Sequence, residues 1–142
     1  MIRKGKTGNL AYDDWETPKD FYDELNKEFN FDFDPCPLFS DFDGLNINWG
    51  KRNFVNPPYT FKTKEAFVKK AIKELKKGNM SVFILPVSTS TKLFHDYILP
   101  NCSEIRFVRG RIKFIRYKNK VKLKTQVAGV NDSMIVVFGK KN

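Results

Sequence analysis

With 142 residues, 41% of them hydrophobic and 14 of them phenylalanine, the chain is long enough for one domain with a single hydrophobic core and is not a disordered polymer. No apolar run reaches the ~18 residues of a membrane span, the N-terminus lacks the apolar stretch of a secretory signal, and two cysteines with one histidine are too few for a disulfide scaffold, a metal site or a histidine-based triad. A net charge of +10 with a pI near 9.6 points to a polyanionic partner, nucleic acid before any other.

In chain order, residues 1–14 read as a flexible polar arm and residues 15–142 as one domain. Trp15-Glu16-Thr17-Pro18 opens the first helix, with Thr17 as N-cap and Pro18 at the first helical position. Phe21, Tyr22, Leu25 and Phe29 recur at helical spacing and predict a helix over 18–29. Phe31-Asp32-Phe33-Asp34 reads as a short strand stopped by Pro35-Cys36-Pro37. Residues 38–50 carry turn chemistry in Asp41, Asp43, Gly44 and Asn48.

A strand over 52–56 then runs into Asn56-Pro57-Pro58-Tyr59. Lys64 to Lys77 is a helix with Ala66, Phe67, Ala71, Ile72 and Leu75 on one face, closed by Gly78. The unbroken apolar run 81–86 reads as a central strand covered on both faces. Ser90-Thr91 starts another helix, which Pro100 ends. A strand over 105–108, a hairpin of 112–117 and 121–127 around Lys118-Asn119-Lys120, and a last strand over 134–138 follow. Strands alternating with helices describe an open α/β sheet.

Ligands on such sheets bind beyond the carboxyl ends of the strands. Asp34-Pro35, Asn56-Pro57-Pro58-Tyr59 and Pro86-Val87-Ser88 all fall at such ends, so one crevice can collect them. Of these, Asn-Pro-Pro-Tyr carries the most chemistry. Neither proline can donate to a ladder, so the backbone after Asn56 is stiff and its carbonyls are free of strand partners. An exocyclic amino group on a planar base needs two acceptors and a stacking surface. The Asn56 side-chain oxygen, the Pro57 carbonyl and the Tyr59 ring can supply them. The same four residues also make an ordinary turn; the flanking strand, the following helix and the basic charge favour the pocket.

That charge is local. From Glu104 to Lys124 there are nine basic residues and one acid, leaving +2 for everything else. Arg109, Arg111, Lys113, Arg116, Lys118, Lys120, Lys122 and Lys124 are placed to follow phosphates, or simply to solvate a lysine-rich hairpin. Phe114 suits a core position better than a contact with a base. His95 is more often structural than catalytic in such a place.

The chain resembles the phage-type, Dam-like DNA N6-adenine methyltransferases. The resemblance rests on Trp15-Glu16-Thr17-Pro18, Phe33-Asp34-Pro35-Cys36, Asp43-Gly44-Leu45 with Trp49, Asn56-Pro57-Pro58-Tyr59, Leu85-Pro86, Phe94-His95, the run Glu104 to Phe114 and the run Ser133 to Phe138, in that order over about residues 13 to 139. It implies a reduced Rossmann-like sheet of the S-adenosylmethionine-dependent kind, with a basic β-hairpin near the C-terminus. It implies that Asn56, Pro57, Pro58 and Tyr59 hold a flipped adenine for direct methyl transfer to N6. It also implies that Trp15, Thr17, Pro18, Asp34, Pro35, Cys36 and Asp43 lie along the methyl donor.

Residue chemistry leaves alternatives beside several of these. Trp15 also suits a hydrophobic staple, and Asp34 and Asp43 suit ordinary turns. The glycine-rich loop common in such enzymes is absent, since Asp34-Pro35-Cys36-Pro37-Leu38 has no glycine. A binding module of methyltransferase shape, and methylation of cytosine N4 or a glutamine amide, are the competing expectations. A cytoplasmic setting with reduced thiols, that of a host cell if the source is viral, and no metal complete the expectations.

Overall fold

The computed structural model describes residues 13–123 and 131–140. The first strand, β1, is Asp13–Glu16. The expected arm is therefore shorter at its C-terminal end: Asp13 and Asp14 are taken up as strand. The remaining arm residues, and Lys124 with the outer part of the expected second hairpin strand, lie outside the described residues. Helix α1 is Lys19–Phe29. Thr17 does not cap it. Pro18 occupies the cap position with φ −56° and ψ 139° and makes no side-chain cap bond, while the Thr17 hydroxyl is used elsewhere. The helix ends at Asn30, in the left-handed region at φ 52°, a conformation asparagine tolerates.

The expected strand at 31–34 is reduced to a single parallel bridge, Phe33 to Asn53. Asp32 explains part of this, since its carboxylate takes the Arg52 N–H at 3.0 Å where a longer ladder would run. Strand β2 is Arg52–Val55. Helix α2, Phe61–Lys76, begins three residues before the expected Lys64. Gly78 follows it at φ 91°, and its N–H closes the end on the Leu75 carbonyl. Glu74 is fully buried in this helix and is met by Asn79 Nδ2 at 2.9 Å and Lys77 Nζ at 3.0 Å.

Strand β3, Met80–Pro86, is buried along its whole length. Its side chains alternate between two cores. Phe83 and Leu85 face Val68, Ala71, Leu93 and Ile98. Val82 and Ile84 face Leu25, Phe29, Ile112 and Phe114. This period of two is why the run carries no polar face. The third helix has wide, π-type turns over Leu93–Ile98 and one α turn, Leu99–Asn101. Leu99 N–H reaches back five residues to the Phe94 carbonyl. Pro100, which has no N–H to give, sits inside this helix rather than after it.

The remaining strands are β4 Glu104–Phe107, β5 Ile115–Lys118, β6 Val121–Lys122 and β7 Ser133–Phe138. The residues before Ile115 that were expected in the hairpin are not strand. The main sheet has the order β2-β3-β7-β4. β2 and β3 are parallel, and β7 runs antiparallel to both β3 and β4. Hence β2, β3 and β4 share one direction, and their carboxyl ends lie along one edge. A second sheet, β1-β5-β6, is antiparallel throughout. The fold is thus mixed α/β with two sheets. The hairpin turn is Asn119-Lys120, both at positive φ (50° and 65°), the backbone that a two-residue turn needs to match strand twist.

Candidate functional site

The site is built where chain directions converge. β2 ends at Val55 and delivers Asn56. The bridged residue Phe33 delivers Asp34, and β1 ends at Glu16 and delivers Thr17. Asn56 is only 2% exposed. Its Nδ2 donates to Thr17 Oγ1 at 3.0 Å, across 39 residues of chain. Pro57 is buried behind it, and Pro58 and Tyr59 are half-buried. Asn56 is thus nearly covered, and its side chain does not line an open cleft.

Three aromatic rings form a wall here. Tyr59 meets Phe114 edge-on, at 6.4 Å and 84°. Phe114 is tilted against Trp15 at 5.4 Å and is 3% exposed, a core residue. The Tyr59 hydroxyl, the Trp15 indole N–H and Arg116 Nε are buried with no hydrogen-bond partner among the described residues. Burial pushes the Tyr59 phenol well above its usual pKa of 10.0. Below pH 10 the folded and unfolded chains both keep that proton. Above it the unfolded chain ionises first, so stability falls as pH rises. Tyr59→Phe should therefore flatten the alkaline loss of stability in thermal melts run from about pH 8 to 11 and cost little at neutral pH, since it removes an unsatisfied group. A clear loss at neutral pH would show that the hydroxyl has a partner after all.

Beside this corner lies a cleft of about 550 Å³, within the roughly 300–1,000 Å³ usual for small ligands. Glu16, Thr17, Lys19, Tyr22 and Asp34 give it polar walls, and Pro37, Leu38, Phe54 and Ile115 give it apolar ones. Thr17 and Asp34 thus share the cleft. Trp15 stands on the adjoining strand, against Phe114. Pro18 opens instead onto a larger groove of about 1080 Å³ along α1, lined by Asp20, Asp23 and Glu24 on one side and by Arg111 and Lys113 on the other. That groove holds none of the Asn56 corner; Phe21, Leu25 and Ile112 line it together with the charged residues.

Asp34 Oδ1 accepts the Cys36 N–H at 2.8 Å, which shapes the loop wall, and Pro35 and Cys36 are buried in it. Asp43 does not line the cleft. Its carboxylate takes Leu45 N–H at 3.0 Å and Asn46 Nδ2 at 2.7 Å, closing its own turn. That turn is pressed onto the cleft loop. A Cβ on Gly44 would come within 1.8 Å of the Pro35 carbonyl oxygen. Gly44→Ala should accordingly destabilise the fold by about 1–3 kcal/mol, read as a lower denaturation midpoint; an unchanged midpoint would mean that the two loops part freely. Glu16, Lys19, Tyr22, Leu38 and Ile115 went unread as cleft residues because no spacing marks them. They come from four separate segments.

Arg109, Arg111, Lys113, Lys118, Lys120 and Lys122 are exposed, and Arg116 is half-buried. Arg111 lies 3.4 Å from Asp132. Register puts Lys118 opposite Val121 and Tyr117 opposite Lys122, so Lys118 and Lys122 belong to opposite faces of the ribbon. His95 is exposed on the third helix, its Nε2 2.7 Å from the Thr89 carbonyl, which ties down the loop after β3.

The structure is therefore that of an α/β protein with a cleft of small-ligand size at strand ends and a basic ribbon beside it. The chain belongs to the DNA N-6-adenine-methyltransferase (Dam) family, whose family model matches residues 4–141. No curated protein and no solved structure matches the chain. Among the described residues no helix is long and apolar enough to cross a membrane.

Proposed function

We propose that the protein transfers a methyl group from S-adenosylmethionine to N6 of adenine in DNA, with Asn56-Pro57-Pro58-Tyr59 as the pocket for the flipped base. One observation carries the reading. Thr17 both lines the cleft and hydrogen-bonds Asn56, so the proposed base corner and the proposed donor cleft are one side chain apart.

The cleft residues fit the donor's chemistry. Lys19 suits a carboxylate, and Glu16 and Asp34 suit an ammonium and ribose hydroxyls. Pro37, Leu38, Phe54 and Ile115 suit the faces of an adenine ring. S-adenosylmethionine held there would supply an electrophilic methyl carbon. Trp15, Pro35 and Cys36 would act on this view mainly by shaping the walls, Pro18 by restricting the backbone next to Thr17, and Asp43 by bracing the loop through Gly44. The three strands that share a direction, with helices between them, are compatible with a reduced Rossmann-like sheet of the kind such a donor site uses.

The chain's own groups do the rest. The amino nitrogen of adenine is a poor nucleophile because its lone pair is delocalised into the ring. Asn56 Oδ1 and the Pro57 carbonyl accept its two N–H bonds and favour a tetrahedral nitrogen whose lone pair faces the cleft. Pro57 and Pro58 keep those acceptors from relaxing. In-line positioning of this kind can supply ~7–11 kcal/mol of a barrier. The proton released from nitrogen passes to solvent, so no histidine base is needed. Extracting the base from the duplex costs a few kcal/mol, and stacking on Tyr59 offsets part of that.

The basic ribbon is the proposed DNA contact. With lysines on both faces it can enter a groove and meet the phosphates of both walls, since the major groove admits a two-stranded ribbon. Incubation with methyl-labelled donor and DNA, followed by nucleoside analysis, tests the reading. Label in N6-methyladenine is the expected result. Label in N4-methylcytosine would change the substrate. No label, together with no donor binding by calorimetry with or without DNA, would leave a nucleic-acid-binding module only.

A further inference from the structure

An asparagine amide has two ends of nearly equal size and opposite hydrogen-bonding sense. An amino group about to be methylated offers only N–H bonds on that side, so it needs the oxygen end. Were the NH2 end presented, donor would face donor. At 2% exposure, little water is at hand to mediate a wrong choice, so something in the protein has to decide which end faces the base.

We propose that Thr17 is a positioning residue that makes this choice: its hydroxyl oxygen holds the Asn56 amide nitrogen and thereby turns the amide oxygen to the amine. The inference rests on the reading of the corner given above. Asn56 Nδ2 can only donate, so Thr17 Oγ1, 3.0 Å away, must accept. A threonine hydroxyl can also donate; in the arrangement the structure has, it accepts from Nδ2 and leaves Oδ1 for the amine. Thr17 is itself well placed to act as a fixed reference. Glu16 before it is paired in register with Ile115, and Pro18 after it restricts the backbone. The bond also explains why Thr17 does not cap α1, the task its sequence position predicts.

Two variants and one spectrum test this. Thr17→Val keeps the shape and removes the acceptor. It should lower kcat by roughly 10- to 100-fold. Thr17→Ser, which keeps the oxygen, should restore most of the lost rate. The side-chain amide signals of Asn56, assigned by their loss in Asn56→Ala, should show slowed proton exchange in the parent protein and in Thr17→Ser, and fast exchange in Thr17→Val. Full kcat in Thr17→Val, no rescue by serine, or amide signals indifferent to Thr17 would each overturn the proposal. If the parent protein labels no DNA, the methyltransferase reading fails instead. The amide signals then still show whether Thr17 orients Asn56.

Discussion

Asn56→Ala should yield a folded protein that binds DNA and does not methylate it. The side chain is proposed to contribute one of the two acceptors on the reacting amine. Losing one preorganised hydrogen-bonding group of this kind costs on the order of 10²–10³ in rate. The structural cost is smaller. The Thr17 hydroxyl loses one partner, which at a typical ~1 kcal/mol leaves the two cores untouched. DNA affinity should hardly move, because the basic ribbon does not include this residue. Single-turnover rates and an independent DNA-binding measurement separate the two effects. Residual activity near that of the parent would remove Asn56 from its proposed role, and lost DNA affinity would point to misfolding or a broader interface.

Neutralising Lys118, Lys120 and Lys122 together should weaken DNA binding and make it less sensitive to salt. All three are exposed, so no buried network is disturbed. Every phosphate that no longer meets a lysine should reduce the slope of log affinity against log salt by ~0.9, or about 2 to 3 units for the set. Calorimetric binding of S-adenosylmethionine alone should persist, since the cleft lies at the other end of β5, where Ile115 forms part of its wall. The opposed faces of Lys118 and Lys122 sharpen the test. If the ribbon sits in a groove, either single replacement should reduce the slope. If it lies flat on the backbone, only one of them should. An unchanged slope in the triple variant would place the DNA elsewhere.

The main sheet was readable because burial on both faces leaves a plain trace. Met80–Pro86 has no polar side to obscure, and α1 and α2 each carry one apolar face at helical spacing. Asn119-Lys120 was readable as a turn between two strand-like runs. What escaped depends on partners distant in the chain. Asp13-Asp14-Trp15-Glu16 has no strand-like alternation and becomes a strand only because β5 has an open edge to pair with. Thr17 has the local signature of a helix cap, yet a residue 39 positions away claims its hydroxyl. The early start of α2 has no apolar marker, since Phe61 stays 53% exposed. In the site, the Asn-Pro-Pro-Tyr corner announced itself by composition. The cleft did not, because Lys19, Tyr22, Leu38 and Ile115 meet only after folding.

The short strand β1 belongs to two neighbourhoods. It is paired with the ribbon along its whole length, from Asp13 across from Lys118 to Glu16 across from Ile115, and its last residue, Glu16, lines the cleft with Thr17. Four residues of chain thus separate the strand partner of Lys118 from the hydroxyl that holds Asn56.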